Sequence, residues 1–117
     1  LSEPHIKQFF QVTEFTGTGT SSVLDMIKYP NSNFSVQITA NGTVTAFDVD
    51  VESTLNCDDA DTFTPITALN LVNTADALND IKSVTGYPAR CLRVNVGTLT
   101  LGTATKITVY LLAVRDH

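Results

Sequence analysis

Residues 88–114, PARCLRVNVGTLTLGTATKITVYLLAV, constrain the fold more than any other stretch of the chain. Leu92, Val94 and Val96 fall on one face of an extended segment, and Ile107, Val109 and Leu111 do the same after a Thr/Gly turn. Period-two alternation of this kind belongs to a sheet with one buried side, so the segment reads as two strands joined by a turn. The bias continues elsewhere. Eighteen residues are Thr, accompanied by many Val and Ile, and β-branched side chains lose rotamer freedom in helices while packing well on pleated strands. Strands are expected at about 7–14, 23–28, 33–40, 43–52, 62–68, 89–97 and 105–114.

Asn41-Gly42 is the sharpest turn signal, flanked by Phe34, Val36 and Ile38 before it and Val44, Ala46 or Phe47 after it. Asn-Gly adopts positive φ readily, so a two-residue hairpin is predicted here. Between Ala75 and Val84, the spacing of Ala77, Leu78 and Ile81 fits a short helix or a loop crossing one end of a sandwich. The resulting expectation is a single all-β domain over 1–117, an antiparallel β-sandwich with jelly-roll-like connections. Residues 1–14 are read as an interface arm or an edge strand. As an arm, the segment would offer Ile6, Phe9, Phe10 and Val12 as apolar anchors ahead of the TGTGT stretch. As an edge strand, residues 7–14 would belong to the core of their own subunit.

Seven Lys and Arg against twelve Asp and Glu give a formal charge of −5. That balance offers no basic surface for a run of phosphates, and nucleic acid is not an expected partner. The apolar run Tyr110 to Val114 is far shorter than a membrane span, and LSEPHIKQFF lacks the composition of a signal peptide. No membrane partner is expected.

Candidate chemistry is sparse. Asp58, Asp59 and Asp61 follow Cys57 in a loop after Glu52. Three carboxylates so close together can approach a hard cation, but their spacing lacks the alternation and closing Glu of an EF-hand, so a solvated acidic loop is expected and no metal site. Acid/base catalysis needs two carboxylates in contrasting environments, which adjacent solvent-facing residues do not supply. His5 and His117 lie at opposite ends of the chain, and Ser21, Ser22, Ser35 and Ser53 lack a G-x-S-x-G elbow. No catalytic residue and no cofactor is expected. Cys57 and Cys91 are read as two free thiols, or as one disulfide if the loop after residue 52 folds over the strand carrying Cys91. That Cys is expected on the face opposite Leu92, beside Arg93. Arg90 and Arg93 are candidate interface anchors, with a cross-strand ion pair as the alternative role. Tyr29, Tyr87 and Tyr110 are read as rim-of-core residues, and the absence of Trp speaks against a sugar-stacking platform.

The segment Tyr87-Pro88-Ala89-Arg90-Cys91-Leu92-Arg93-Val94-Asn95-Val96, with Leu99-Thr100-Leu101-Gly102 and Ile107-Thr108-Val109-Tyr110-Leu111-Leu112, resembles the C-terminal strand pair of small β-sandwich virion proteins of tailed bacteriophages. Val49-Asp50-Val51-Glu52-Ser53-Thr54-Leu55-Asn56 and Phe63-Thr64-Pro65-Ile66 resemble the same group, so the likeness spans roughly residues 33–114. The chain departs from that pattern at Cys91, where an aromatic residue is usual, and at Cys57–Asp61, which replaces a shorter Gly-containing loop. The resemblance implies a non-enzymatic structural role of capsid decoration type. It also implies the major capsid protein as partner, a small homo-oligomer such as a trimer, and a place on the phage head surface. A tail component or a host- or glycan-recognising module, using the 56–62 loop and the 17–22 turn, is the alternative.

Overall fold

The computed structural model describes residues 7–29 and 31–115. Among the described residues ten strands form two antiparallel sheets: β1 (Lys7–Phe15), β2 (Gly19–Thr20), β3 (Leu24–Asp25), β4 (Asn31–Ala40), β5 (Val44–Thr54), β6 (Thr64–Pro65), β7 (Leu71–Val72), β8 (Ile81–Pro88), β9 (Cys91–Leu101) and β10 (Ile107–Arg115). One sheet has the order β1-β10-β4-β8. The other has the order β2-β9-β5-β6, with β3 on β9 and β7 on β5.

The connectivity is that of a jelly roll. The first long strand pairs with the last, the short β2 and β3 pair with β9, β4 pairs with β8, and β5 pairs with the short β6 and β7 that follow it. Folding the chain in nested pairs of this kind alternates the strands between two layers, as two Greek keys do. The all-β antiparallel sandwich expected from the sequence is the architecture observed. Phe34, Val36, Ile38, Ile107, Val109 and Leu111 point inward from the first sheet. Phe47, Val49, Val51, Leu92, Val94 and Val96 meet them from the second. All twelve belong to one core. No helix among the described residues is long and apolar enough to cross a membrane.

Both predicted hairpins are instead crossings between the layers. β4 and β5 flank Asn41-Gly42 yet lie in different sheets, as do β9 and β10. Gly42 is not among the residues with positive φ, so this Asn-Gly does not make the turn it was expected to make. The two crossings run against each other. Asn41 accepts from the Thr105 amide and donates to its hydroxyl, at 2.9 and 2.7 Å. The Thr43 and Thr103 amides each donate to the other's hydroxyl at 2.8 Å. A Cβ on Gly42 would stand 2.7 Å from the Ala104 nitrogen, so glycine serves close approach here rather than backbone handedness. A register shift between Val44 and Ala46 moves Phe47, not Ala46, onto the buried face.

Other boundaries differ as well. Within 23–28 only Leu24–Asp25 is strand, and the chain then turns through the fully buried Met26. Within 62–68, β6 is followed by a short 3-10 turn at Thr67–Leu69. Residues 75–80 form no helix: the Asp76 and Asp80 carboxylates accept from the Val72 and Ala77 amides, and Asn79 takes φ +73°. Side-chain acceptors of this type give the backbone a local alternative to a helical ladder. The eight-residue β8 begins directly afterwards, at Ile81.

Candidate functional site

Alternation along β1, β10, β4 and β8 leaves one face of the first sheet outside the core. The strand register arranges it in rows. Phe10, Leu112 and Ser35 lie side by side, with Ser83 next to Ser35, and one row along come Val12, Tyr110, Gln37 and Ile81. Phe10 and Ile81 are each 63% exposed and Val12 50%, and Phe10 stacks on Tyr110 with ring centroids 6.0 Å apart. Glu14, at one end, pairs with Lys106. Glu14 is the charged member of the rows from Gln8 to Glu14. Between the Phe10–Tyr110 ridge and Ile81 runs a groove of about 320 Å³ floored by Ser35 and Gln37. On its floor the Ser35 hydroxyl is bonded to the Ser83 hydroxyl at 2.8 Å, and the Gln37 amide nitrogen donates to the Asn79 carbonyl at 2.9 Å.

The outer face of the second sheet has the opposite character. Asp48, Asp50 and Glu52 alternate along β5 with the buried Phe47, Val49 and Val51. The Asn70 amide donates to Asp48 and Asp50, each at 2.8 Å. Burial pushes the Asp50 carboxyl above its ordinary 3.8, against the Asn70 hydrogen bond and with help from the Asp48 and Glu52 charges. Glu52 is held by Arg93 at 2.7 Å and by Asn95 at 3.1 Å, while the Arg93 guanidinium lies 4.3 Å from the Phe63 ring centroid. Arg93 thus forms the cross-strand ion pair weighed from sequence. The Arg90 side chain is exposed, and its backbone joins two segments, the amide donating to Thr54 and the carbonyl accepting from Met26.

Cys57 and Cys91 form a disulfide across 34 residues, with Cα atoms 5.7 Å apart. Cys91 points away from the Leu92 face, as parity requires, and is buried because the 55–63 loop is fastened over it. The free-thiol reading is thereby corrected: the loop brings a partner that spacing along the chain does not reveal. In that loop Asp58, Asp59 and Asp61 are exposed, and Asp59 caps the 3-10 turn Ala60–Thr62 by accepting from the Asp61 amide. No group of three or more His, Cys, Asp or Glu among the described residues is placed to hold a metal ion.

An open cleft of about 570 Å³ lies beside the same loop, lined by Thr54, Asn56, Thr62, Thr64, Tyr87 and Pro88 among others. Its threonine hydroxyls are engaged with one another and with the backbone: Thr54 with Thr62, Thr62 with the Asn56 and Asp59 carbonyls, Thr64 with the Thr62 carbonyl. Tyr87 packs edge-on against Phe34. The 17–22 turn lies beside β9 at Asn95 and Val96, whereas the 56–62 loop is fastened at the start of that strand, at Cys91. Ser21 is structural, its hydroxyl accepting from the buried Val94 amide at 2.9 Å.

Of the anchors predicted near the N-terminus, Ile6 lies outside the described residues, as do His5 and His117. Phe9 turns inward against Tyr29, with ring centroids 5.5 Å apart, while Phe10 and Val12 face out. The structure places Phe10 and Val12 beside Tyr110, Leu112 and Ile81, and it separates them from Arg90 and Arg93, which belong to the other sheet and its connection. Ile81 escapes sequence reasoning because its spacing fits helix or loop, and Leu112 because the neighbours that place it on this face, Phe10 and Ser35, come from other strands. The signal available was Ile81, Ser83 and Thr85 alternating with Lys82 and Val84.

No family model matches the sequence, and no curated protein matches it. Among solved structures, the chain is similar to the crystal structure of the SPBc2 prophage-derived protein YomS, with a TM-score of 0.66 at 10% identity over 98% of this chain and 99% of that one. The likeness spans the sandwich from end to end and is one of fold.

Proposed function

We propose that this chain is a non-enzymatic structural component of a phage particle, a decoration protein that binds the outer capsid lattice. The observation that carries the reading is the apolar patch of Phe10, Val12, Tyr110, Leu112 and Ile81 on the outer face of the β1-β10-β4-β8 sheet, with its carboxylate, Glu14, paired to Lys106 at the margin, a surface suited to protein contact. The shared fold with a prophage-derived protein supports the phage context. The disulfide supports a place outside the reducing cytosol, such as a particle surface. Jelly rolls serve capsid and lectin domains alike, so fold alone does not separate the two. Against a glycan module stands the cleft beside Tyr87, whose hydroxyls are largely engaged within the protein.

The test is co-sedimentation of the purified protein with capsids of its own phage prepared without accessory proteins, alongside isolated tails and an unrelated capsid. Saturable, stoichiometric binding to the capsid alone is expected. Binding to tails instead would move the protein to that structure, and binding to neither by the folded protein would overturn the virion reading.

A further inference from the structure

We infer that the outer face of the β1-β10-β4-β8 sheet is the seam of a two-fold dimer, its occupant a second copy of this chain. The inference rests on reading that face as a protein interface and goes further by naming what covers it.

Charge supports a second copy. Each chain carries −5, so two copies repel unless their carboxylates are kept apart. The row Asp48, Asp50 and Glu52 lies on the far sheet, and the one carboxylate in the proposed seam, Glu14, is paired with Lys106 at its margin. A partner selected by opposite charge would call for charge on this face, whereas a neutral face can meet its own image without penalty.

Shape gives the same answer. Ile81 protrudes on one rim of the groove and is 63% exposed. In an isologous contact the Ile81 of each copy enters the groove of the other, because a two-fold axis makes every contact twice. The floor is partly prepared for burial, since the Ser35 hydroxyl is bonded to Ser83 and the Gln37 amide nitrogen donates to the Asn79 carbonyl within the subunit, and groups already paired lose little when water is expelled.

Area is sufficient for a modest dimer. Four strands at about 4.8 Å spacing and nine residues at about 3.3 Å each give a face of roughly 19 by 30 Å. Two such faces bury about 1,100 Å², just above the roughly 1,000 Å² expected of a specific interface. Dissociation in the micromolar range is therefore expected, and multiple attachment to a lattice would add avidity.

The test is sedimentation equilibrium of the purified, disulfide-intact protein over a concentration series from about 1 to 500 µM, a span set by that micromolar expectation. The wild type should pass from 12.6 kDa to about twice that mass. Phe10→Glu and Ile81→Glu each place like charges across the seam and should raise the dissociation constant at least about 100-fold, while Thr18→Glu, in the exposed 16–20 segment, should leave it unchanged. Thermal melts establish that the variants fold. Should they not, hydroxyl-radical footprinting of the wild type gives a second reading, with protection of Phe10, Tyr110 and Ile81 rising with concentration. A wild type that stays monomeric throughout, or a dimer indifferent to both substitutions and unprotected at these residues, overturns the inference. A dimer that binds no capsid upholds the seam and removes the decoration role. A monomer whose capsid binding is lost with Ile81→Glu overturns the seam and keeps that role.

Discussion

Ser21 shows how one hydroxyl substitutes for a stretch of ladder. Between the two-residue strands β2 and β3, its Oγ accepts from the Val94 amide and its own amide donates to the Val94 carbonyl. Ser21→Ala leaves that buried amide without its acceptor and should cost about 1–3 kcal/mol in urea unfolding. Asp50 and Asp76 should answer pH in opposite senses. For Asp50 the folded carboxyl titrates above 3.8, so the native state binds more protons than the unfolded chain between 3.8 and the folded value. Stability falls as pH rises through that window, and the penalty is complete above it. Asp50→Asn should therefore stabilise the protein at pH 7 by a few tenths of a kcal/mol, roughly the scale of an exposed charge contact, with the difference vanishing below 3.8. Asp76 is held below 3.8 chiefly by the Val72 amide, with Lys82 also favouring its charge against burial. Its contribution is present above 3.8 and lost as pH falls through the folded value, so Asp76→Asn should destabilise at pH 7 and converge with wild type in acid. Melts from pH 2 to 8 check both.

The elements depend on how their connections are fastened. The disulfide closes 34 residues and fixes the 55–63 loop over β9. Replacing both cysteines by Ser should lower stability by about 2–4 kcal/mol, measured by chemical denaturation without reductant. The paired crossings at 41–43 and 102–106 present a different constraint, steric rather than topological. Gly42→Ala drives a methyl group against the Ala104 backbone nitrogen, and relief requires one crossing to retreat and its Asn41 and Thr103 hydrogen bonds to lengthen. A cost of about 1–3 kcal/mol is expected, as for overpacking in a core.

For the molecule as a whole, β1 joins residues 7–15 to the edge of β10. Lys7 to Phe15 pair residue by residue with Arg115 to Ile107, Phe15 is buried, and Phe9 packs against the core. Removing residues 1–12 strips the pairs from Lys7↔Arg115 to Val12↔Tyr110 and bares one edge of β10. Loss of the cooperative thermal transition is expected. A truncated protein that melts as sharply as the full chain would show the segment to be dispensable for folding and would favour its reading as an arm. The two outer faces differ in charge, one carrying the Glu14–Lys106 pair at its margin and the other the row Asp48, Asp50 and Glu52.

Alternation at Leu92–Val96 and Ile107–Leu111, and the weight of Thr and Val throughout, determined an all-β sandwich and the inward residues of its long strands. Local sterics and burial act over a few residues, and a period of two is visible wherever one face is dry. Which strands become neighbours was decided by tertiary structure. Asn41-Gly42 has the composition of a hairpin turn, but Thr103 and Thr105, some sixty residues away, supply partners that make it a crossing between layers. Cys57 finds Cys91 only because the loop doubles back over β9. The candidate face was half legible: Phe10 and Val12 stood out as apolar anchors, whereas Ile81, Tyr110 and Leu112 join them solely through the register of four strands drawn from distant parts of the chain. Sequence spacing carries the direction in which a side chain points, and pairing across a sheet carries what it stands beside.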